Sequence, residues 1–141
     1  MSSNKEQTST ENNKYENETD YIDEFVELNK NCIIIKKMYY PLSKQKVIKL
    51  KDIKNVKLIT LDRSNGKYTF LGLCWKFIWY HLDRKRPLKT TGIVIEEKDS
   101  VIKIGLTPEH VEKCYAILSS LVKKESLDTE LINLNKKEKS D

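Results

Sequence analysis

Residues 91–97 read Thr91-Gly92-Ile93-Val94-Ile95-Glu96-Glu97, and after Lys98-Asp99-Ser100 residues 101–104 read Val101-Ile102-Lys103-Ile104. The first run is β-branched and the second alternates apolar with polar, so the pair predicts two strands joined by a turn. Thr107-Pro108-Glu109 follows: a good capping residue, a proline suited to the first helical position, and an acid that complements the helix dipole. Val111, Cys114, Tyr115, Leu118, Leu121 and Val122 then recur at i, i+3, i+4 and i+7, and Lys123-Lys124 close the last turn. This spacing predicts one amphipathic helix over 108–124, its apolar stripe buried against strands.

Upstream, Cys32 to Tyr40 is β-branched and aromatic and stops at Pro41, which predicts a first strand. Lys46-Val47-Ile48-Lys49-Leu50 predicts a second, joined to the first by a hairpin, and Val56 to Leu61 a third. Asp62-Arg63-Ser64-Asn65-Gly66-Lys67 is a turn, since Asn-Gly takes positive φ readily. The run Phe70 to Tyr80 is the most apolar of the chain. The order is short antiparallel strands followed by one C-terminal helix. That predicts a mainly β domain, a bent antiparallel barrel or sandwich with the amphipathic helix as its cap.

Charge divides the 141 residues in three. Residues 1–30 carry eight acids and three lysines, net −5; residues 31–124 carry twenty bases and eight acids, net +12; residues 125–141 carry three bases and five acids, net −2. The first twenty residues are Ser, Thr, Asn, Glu and Lys with almost nothing to bury, so 1–30 is expected to be a disordered acidic extension, with a short helix at 21–29 from the spacing of Tyr21, Phe25 and Leu28. The folded domain is placed at 31–124, and 125–141 is a polar tail in which Leu127, Leu131 and Leu134 allow a short helix. No apolar run approaches the roughly 20 residues of a membrane-spanning helix. The start has no apolar stretch of secretory type, and the three cysteines are odd in number, so a cytoplasmic chain with reduced thiols is expected, peripheral at a membrane if bound to one.

The segment Phe70-Leu71-Gly72 through Trp79-Tyr80, with Gly105-Leu106-Thr107-Pro108-Glu109-His110-Val111-Glu112 leading into the helix, resembles the pleckstrin-homology (PH) superfold, and the bacterial-type PH-like domains most closely. The resemblance spans about residues 31–124 and implies a barrel-like sheet capped by one helix. It also implies a recruitment module for an anionic surface or a protein. The polar insert Asp83-Arg84-Lys85-Arg86-Pro87 departs from it.

Two basic sites and one aromatic site stand out. Lys36, Lys37, Lys44 and Lys46 flank the predicted hairpin, and Lys36-x7-Lys44-x-Lys46 resembles the phosphoinositide pattern of PH domains, with lysine where the pattern ends in arginine. Against 23 lysines and only three arginines in the chain, a solvated lysine-rich hairpin is the plainer alternative. Arg84, Lys85, Arg86 and Lys89 form the second site and hold two of the three arginines, the residue suited to phosphate. This site is expected to be an exposed loop whose charge could be reversed without harm to the fold. Trp75, Phe77, Trp79 and Tyr80 are the third, either core or an exposed patch facing a partner or a membrane.

Catalysis finds little footing. His81 and His110 lie far apart, no C-x-x-C or phosphate-binding glycine loop occurs, and neither metal nor cofactor is expected. Nucleic acid is disfavoured by the acidic flanks. The expected function is a non-enzymatic module that binds anionic lipid headgroups through basic loops, with a protein partner as the alternative.

Overall fold

The computed structural model describes residues 19–39 and 44–140. Nine strands are described: β1 (Thr19–Ile22), β2 (Val26–Asn29), β3 (Cys32–Ile35), β4 (Lys46–Lys49), β5 (Ile53–Thr60), β6 (Gly72–Leu73), β7 (Ile78–Tyr80), β8 (Thr91–Glu97) and β9 (Lys103–Leu106), followed by a single helix, α1 (Val111–Ser140). The first four form an antiparallel meander in the order β1-β2-β3-β4. The others form a second sheet ordered β5-β8-β9-β7-β6.

These sheets make a β-sandwich capped by a helix. Val26, Leu28, Ile33, Ile35 and Ile48 of the first sheet share one core with Ile53, Ile93, Ile95, Ile104 and Leu106 of the second, closed by Cys114 and Leu118 of α1. The mainly β class with a C-terminal helix therefore holds, and the sandwich form applies, since the described strands do not close into a barrel. Strict antiparallel order fails at one seam, where β7 runs parallel to β9 with Ile78 opposite Lys103.

The helix expected at 21–29 is a hairpin. Asp23 accepts the N–H groups of Phe25 and Val26 at 2.7 and 2.8 Å, a local turn that competes with helix. Val26 and Leu28 then face the core with Glu27 between them half-buried, the two-residue period of a strand. Residues 19–30 thus belong to the folded domain; the disorder expected for 1–18 falls outside the described residues, as do Tyr40 and Pro41.

The tail is also more ordered than its polarity implied, because α1 continues without a break to Ser140. No Gly or Pro occurs from Glu109 to Ser140, and Leu, Lys and Glu favour helix. Among the described residues no helix is long and apolar enough to cross a membrane.

The helix start is capped across the fold. Glu109 N–H donates to Asp23 Oδ2 at 2.8 Å and His110 N–H to the Tyr21 hydroxyl at 3.1 Å, while that hydroxyl donates to Asp23. The β1–β2 turn thereby meets amides that an α-helix leaves unsatisfied at its start. Burial would raise the Asp23 carboxyl, but the Tyr21 hydroxyl and the N–H groups of Glu109, Phe25 and Val26 outweigh it and hold it below the usual range. Thr107, expected as the cap, is used elsewhere.

Candidate functional site

The insert at 81–90 is built around one buried arginine. Asp83 Oδ1 accepts Lys85 N–H at 2.9 Å, which sets a turn, and Pro87 starts the 3-10 turn Arg86–Leu88. The turn drives Arg86 inward until its side chain is fully buried. Its Nε donates to Thr107 Oγ1 at 3.1 Å, one terminal nitrogen donates to the Thr69 carbonyl, and the other to the His81 carbonyl at 2.6 Å. The guanidinium carbon stacks 4.5 Å from the Tyr80 ring centroid. That ring is itself held closely, since a Cβ on Gly66 or Gly105 would come within 2.2 or 2.3 Å of it.

Thr107 links these groups. Its hydroxyl donates to Asp83 Oδ2 at 2.7 Å and its N–H to His81 Nε2 at 3.0 Å, while its carbonyl accepts from Lys89 Nζ at 2.6 Å. Lys89 also pairs with Asp83 Oδ2 at 2.7 Å. Burial would raise the Asp83 carboxyl; the bonds from Lys89 and Thr107 outweigh it and hold it below the usual range. Burial lowers Arg86 to about 10, so it stays charged at neutral pH.

His81 is neutral in this network. Its Nε2 accepts from Thr107, so the proton sits on Nδ1, which faces the Leu82 carbonyl at 3.1 Å. Burial first, then the Arg86 charge, push its pKa from 6.5 down to about 3. The unfolded chain takes up this proton below its ordinary pKa and the folded chain does not, so stability falls as pH drops through that value. Thermal melts should show a loss of about 2 kcal/mol between about pH 7 and about pH 5. A melting temperature flat across that window would contradict the neutral buried imidazole.

The expectation of one exposed Arg84–Lys89 loop is therefore corrected in part. Arg86 is buried and Lys89 is committed to Asp83 and Thr107, whereas Arg84 and Lys85 are exposed. The hairpin lysines divide likewise. Lys36 Nζ donates to the Asp23 carbonyl at 3.0 Å, Lys37 pairs with Glu24 at 2.6 Å and Lys46 pairs with Glu97 at 3.2 Å, so three of the four have intramolecular partners. Lys44 is exposed. Of the three residues in the spacing Lys36-x7-Lys44-x-Lys46, the first and last thus have their ammonium groups engaged within the protein.

What the fold does gather is Lys37, Arg84 and Lys85. They line a cavity of about 440 Å³ together with Glu24, Phe25, Leu82 and Asp83. Leu82 N–H donates to the Lys37 carbonyl at 3.1 Å, which fixes the two loops together. Phe25 underlies the site: Lys37 Nζ stands 5.8 Å from its ring centroid and Lys89 Nζ 4.8 Å. Lys37 also pairs with Glu24 at 2.6 Å, and that carboxylate is more than half exposed. Three cations from two loops share this solvent-open rim with two carboxylates, Glu24 and Asp83, which leaves it a small net positive charge.

The aromatic run splits in two. Only Ile78–Tyr80 is strand: Ile78 and Tyr80 join Val94 in a second core cluster, and Trp79 packs on the main core with its Nε1 donating to the Met38 carbonyl at 3.1 Å. Tyr80 thus leaves the set of possible interface residues, and Trp79 is half-buried. Trp75 and Phe77 are not on a strand. Cys74 N–H donates to the Ile78 carbonyl at 2.9 Å and Phe77 N–H to the Cys74 carbonyl at 3.1 Å, which closes the tight loop of the β6–β7 hairpin. Such a loop ends in a left-handed residue that is ordinarily glycine, and here it is Phe77 at φ 58°. A bulky side chain there costs on the order of 1–3 kcal/mol. Trp75 is 91% exposed and Phe77 59%.

Among the described residues no group of three or more His, Cys, Asp or Glu is placed to hold a metal ion. Compared with known protein families, curated proteins and solved structures, the chain matches none.

Proposed function

We propose that this chain is a non-enzymatic binding module, PH-like in kinship, that docks on phosphate-bearing headgroups at an anionic membrane surface. The observation that carries the reading is the convergence of Lys37, Arg84 and Lys85 on one solvent-open cavity. Support for the kinship comes from two largely antiparallel sheets followed by one C-terminal helix, with the parallel β7–β9 pair as a departure. A binder is favoured over a catalyst because the clustered titratable groups, His81, Asp83, Arg86 and Lys89, spend their hydrogen bonds on one another and the backbone.

The test is co-sedimentation with phosphatidylcholine vesicles containing phosphoinositide. Arg84→Glu combined with Lys85→Glu should weaken binding by about tenfold or more, since each basic residue near such a surface contributes about 1 kcal/mol and is reversed rather than removed. The melting temperature should stay close to the parent's, because both side chains are exposed. Binding unchanged in the double variant would remove the cavity from the account.

A protein-binding role is favoured by one other observation. Leu127, Leu131 and Leu134, at i, i+4 and i+7 on α1, are each more than half exposed. A parent that ignores anionic vesicles at low salt would promote this second reading.

A further inference from the structure

We infer that the β6–β7 hairpin tip is a membrane-inserting element, in which Trp75 and Phe77 enter the interfacial layer of an anionic bilayer beside Val101 and Ile102. The inference rests on the membrane reading above and adds the part of the molecule that leaves water.

Four observations lead to it. Phe77 is held in a left-handed backbone conformation at the end of the loop, yet its side chain is mostly in solvent, so no core packing offsets the strain. Strain of this kind, kept without a packing return, marks positions that act on something outside the fold. Second, the tip is not alone. Lys103 N–H donates to the Phe77 carbonyl at 2.9 Å, which sets the tip beside the start of β9, where Val101 is 86% exposed and Ile102 is also exposed. Two adjoining turns thus present four apolar side chains to water at the same end of one sheet.

Third, the charge is complementary to an anionic bilayer. Lys76 stands between Trp75 and Phe77, and Lys98 lies in the adjoining turn; both are exposed, with Asp99 beside Lys98 and Asp62 near Lys76 as the opposing acids. Aromatic rings flanked by lysine suit the headgroup layer, where the ring is shielded and the ammonium stays wet. Fourth, the tip and the basic cavity lie along one line. β7 leads from Phe77 to Leu82, and the 36–39 turn runs beside it: Trp79 Nε1 bonds the Met38 carbonyl, Tyr39 packs 6.2 Å from the Trp79 ring, and Leu82 N–H bonds the Lys37 carbonyl. The tip and the cavity thus stand at the two ends of β7, and at about 3.3 Å per strand residue Trp75 and Arg84 are within about 30 Å of each other, so one bilayer meets both when β7 lies along its surface.

The test uses the full chain with Trp79→Phe, so that Trp75 is the sole indole, and phosphatidylcholine vesicles containing phosphatidylserine. Trp75 emission should shift to shorter wavelength on binding and be quenched by bromine carried on the lipid acyl chains. Trp75→Ala should weaken vesicle binding about tenfold with an unchanged melting temperature, since binding scales with the apolar area inserted. Phe77→Gly should weaken binding while melting no lower than the parent, because glycine relieves the left-handed strain. Should Trp79→Phe prove unstable, the Trp75→Ala and Phe77→Gly binding ratios decide the matter alone. Vesicles that sediment the protein while Trp75 emission stays unshifted, or Trp75→Ala that binds as the parent does, would overturn insertion and leave the basic cavity as the docking site. A parent that fails to sediment at low salt would overturn insertion together with the membrane reading on which it rests.

Discussion

Arg86→Ala should cost about 3–5 kcal/mol, a large share of what holds a domain of this size together. The loss follows from what the guanidinium does. It satisfies the Thr69 and His81 carbonyls and Thr107 Oγ1, and covers one face of Tyr80. Alanine leaves those acceptors buried without a donor, opens a void beside the ring and removes a buried charge that faces Asp83. Arg86→Lys should rescue little, because an ammonium cannot reach three acceptors in the planar fork of a guanidinium. Denaturant midpoints decide it: a marked fall for both variants is expected, and an Arg86→Ala protein that unfolds within the error of the parent would contradict the network. Reversing Arg84, Lys85 and Arg86 together would unfold the chain and so could not report on binding.

Leu118→Asp should be comparably severe, with a loss of several kcal/mol. Leu118 is fully buried in the main core with Cys114, where α1 closes the gap between the sheets. Burying a leucine contributes about 1.5–3 kcal/mol, and an unpaired carboxylate in its place adds a desolvation cost. Thermal melting should fall by well over ten degrees at about 4–8 °C per kcal/mol. Leu131→Asp, on the exposed far part of α1, should melt near the parent, so the pair separates core packing from helix propensity. If Leu118→Asp melted like Leu131→Asp, the helix would not be the cap described.

What could be read in advance followed the strength of local signals. β8 was legible as Thr91–Glu97 because its residues are nearly all β-branched or acidic and Lys98-Asp99-Ser100 ends them. The helix was legible from Val111 onward because Cys114 and Leu118 fall on one stripe. The 21–29 segment misled because Tyr21, Phe25 and Leu28 are spaced as a helix spaces them. The competing signal was Asp23, whose carboxylate bonds the amides two and three residues on. The strand that follows the arginine insert, β8, was readable, but the direction of Arg86 was not. Its partners Thr69, His81 and Thr107 come from three separate segments, and no local spacing joins them. Lys37 and Arg84 were likewise seen as members of different loops, since their meeting depends on the long-range bond from Leu82 to Lys37. Trp75 and Phe77 gave the right residue types for an exposed patch, but no local signal showed that the strand begins only at Ile78 and leaves them on a loop.

The central claim, that Lys37, Arg84 and Lys85 form one phosphate-binding site, is tested most directly by amide shift mapping during titration with a soluble inositol phosphate. Saturable shifts concentrated at Lys37, Leu82, Arg84 and Lys85 are expected, with Lys36 and Lys46 little affected and the response weakened by salt. Shifts spread evenly over the surface lysines, or none at those four amides, would contradict it.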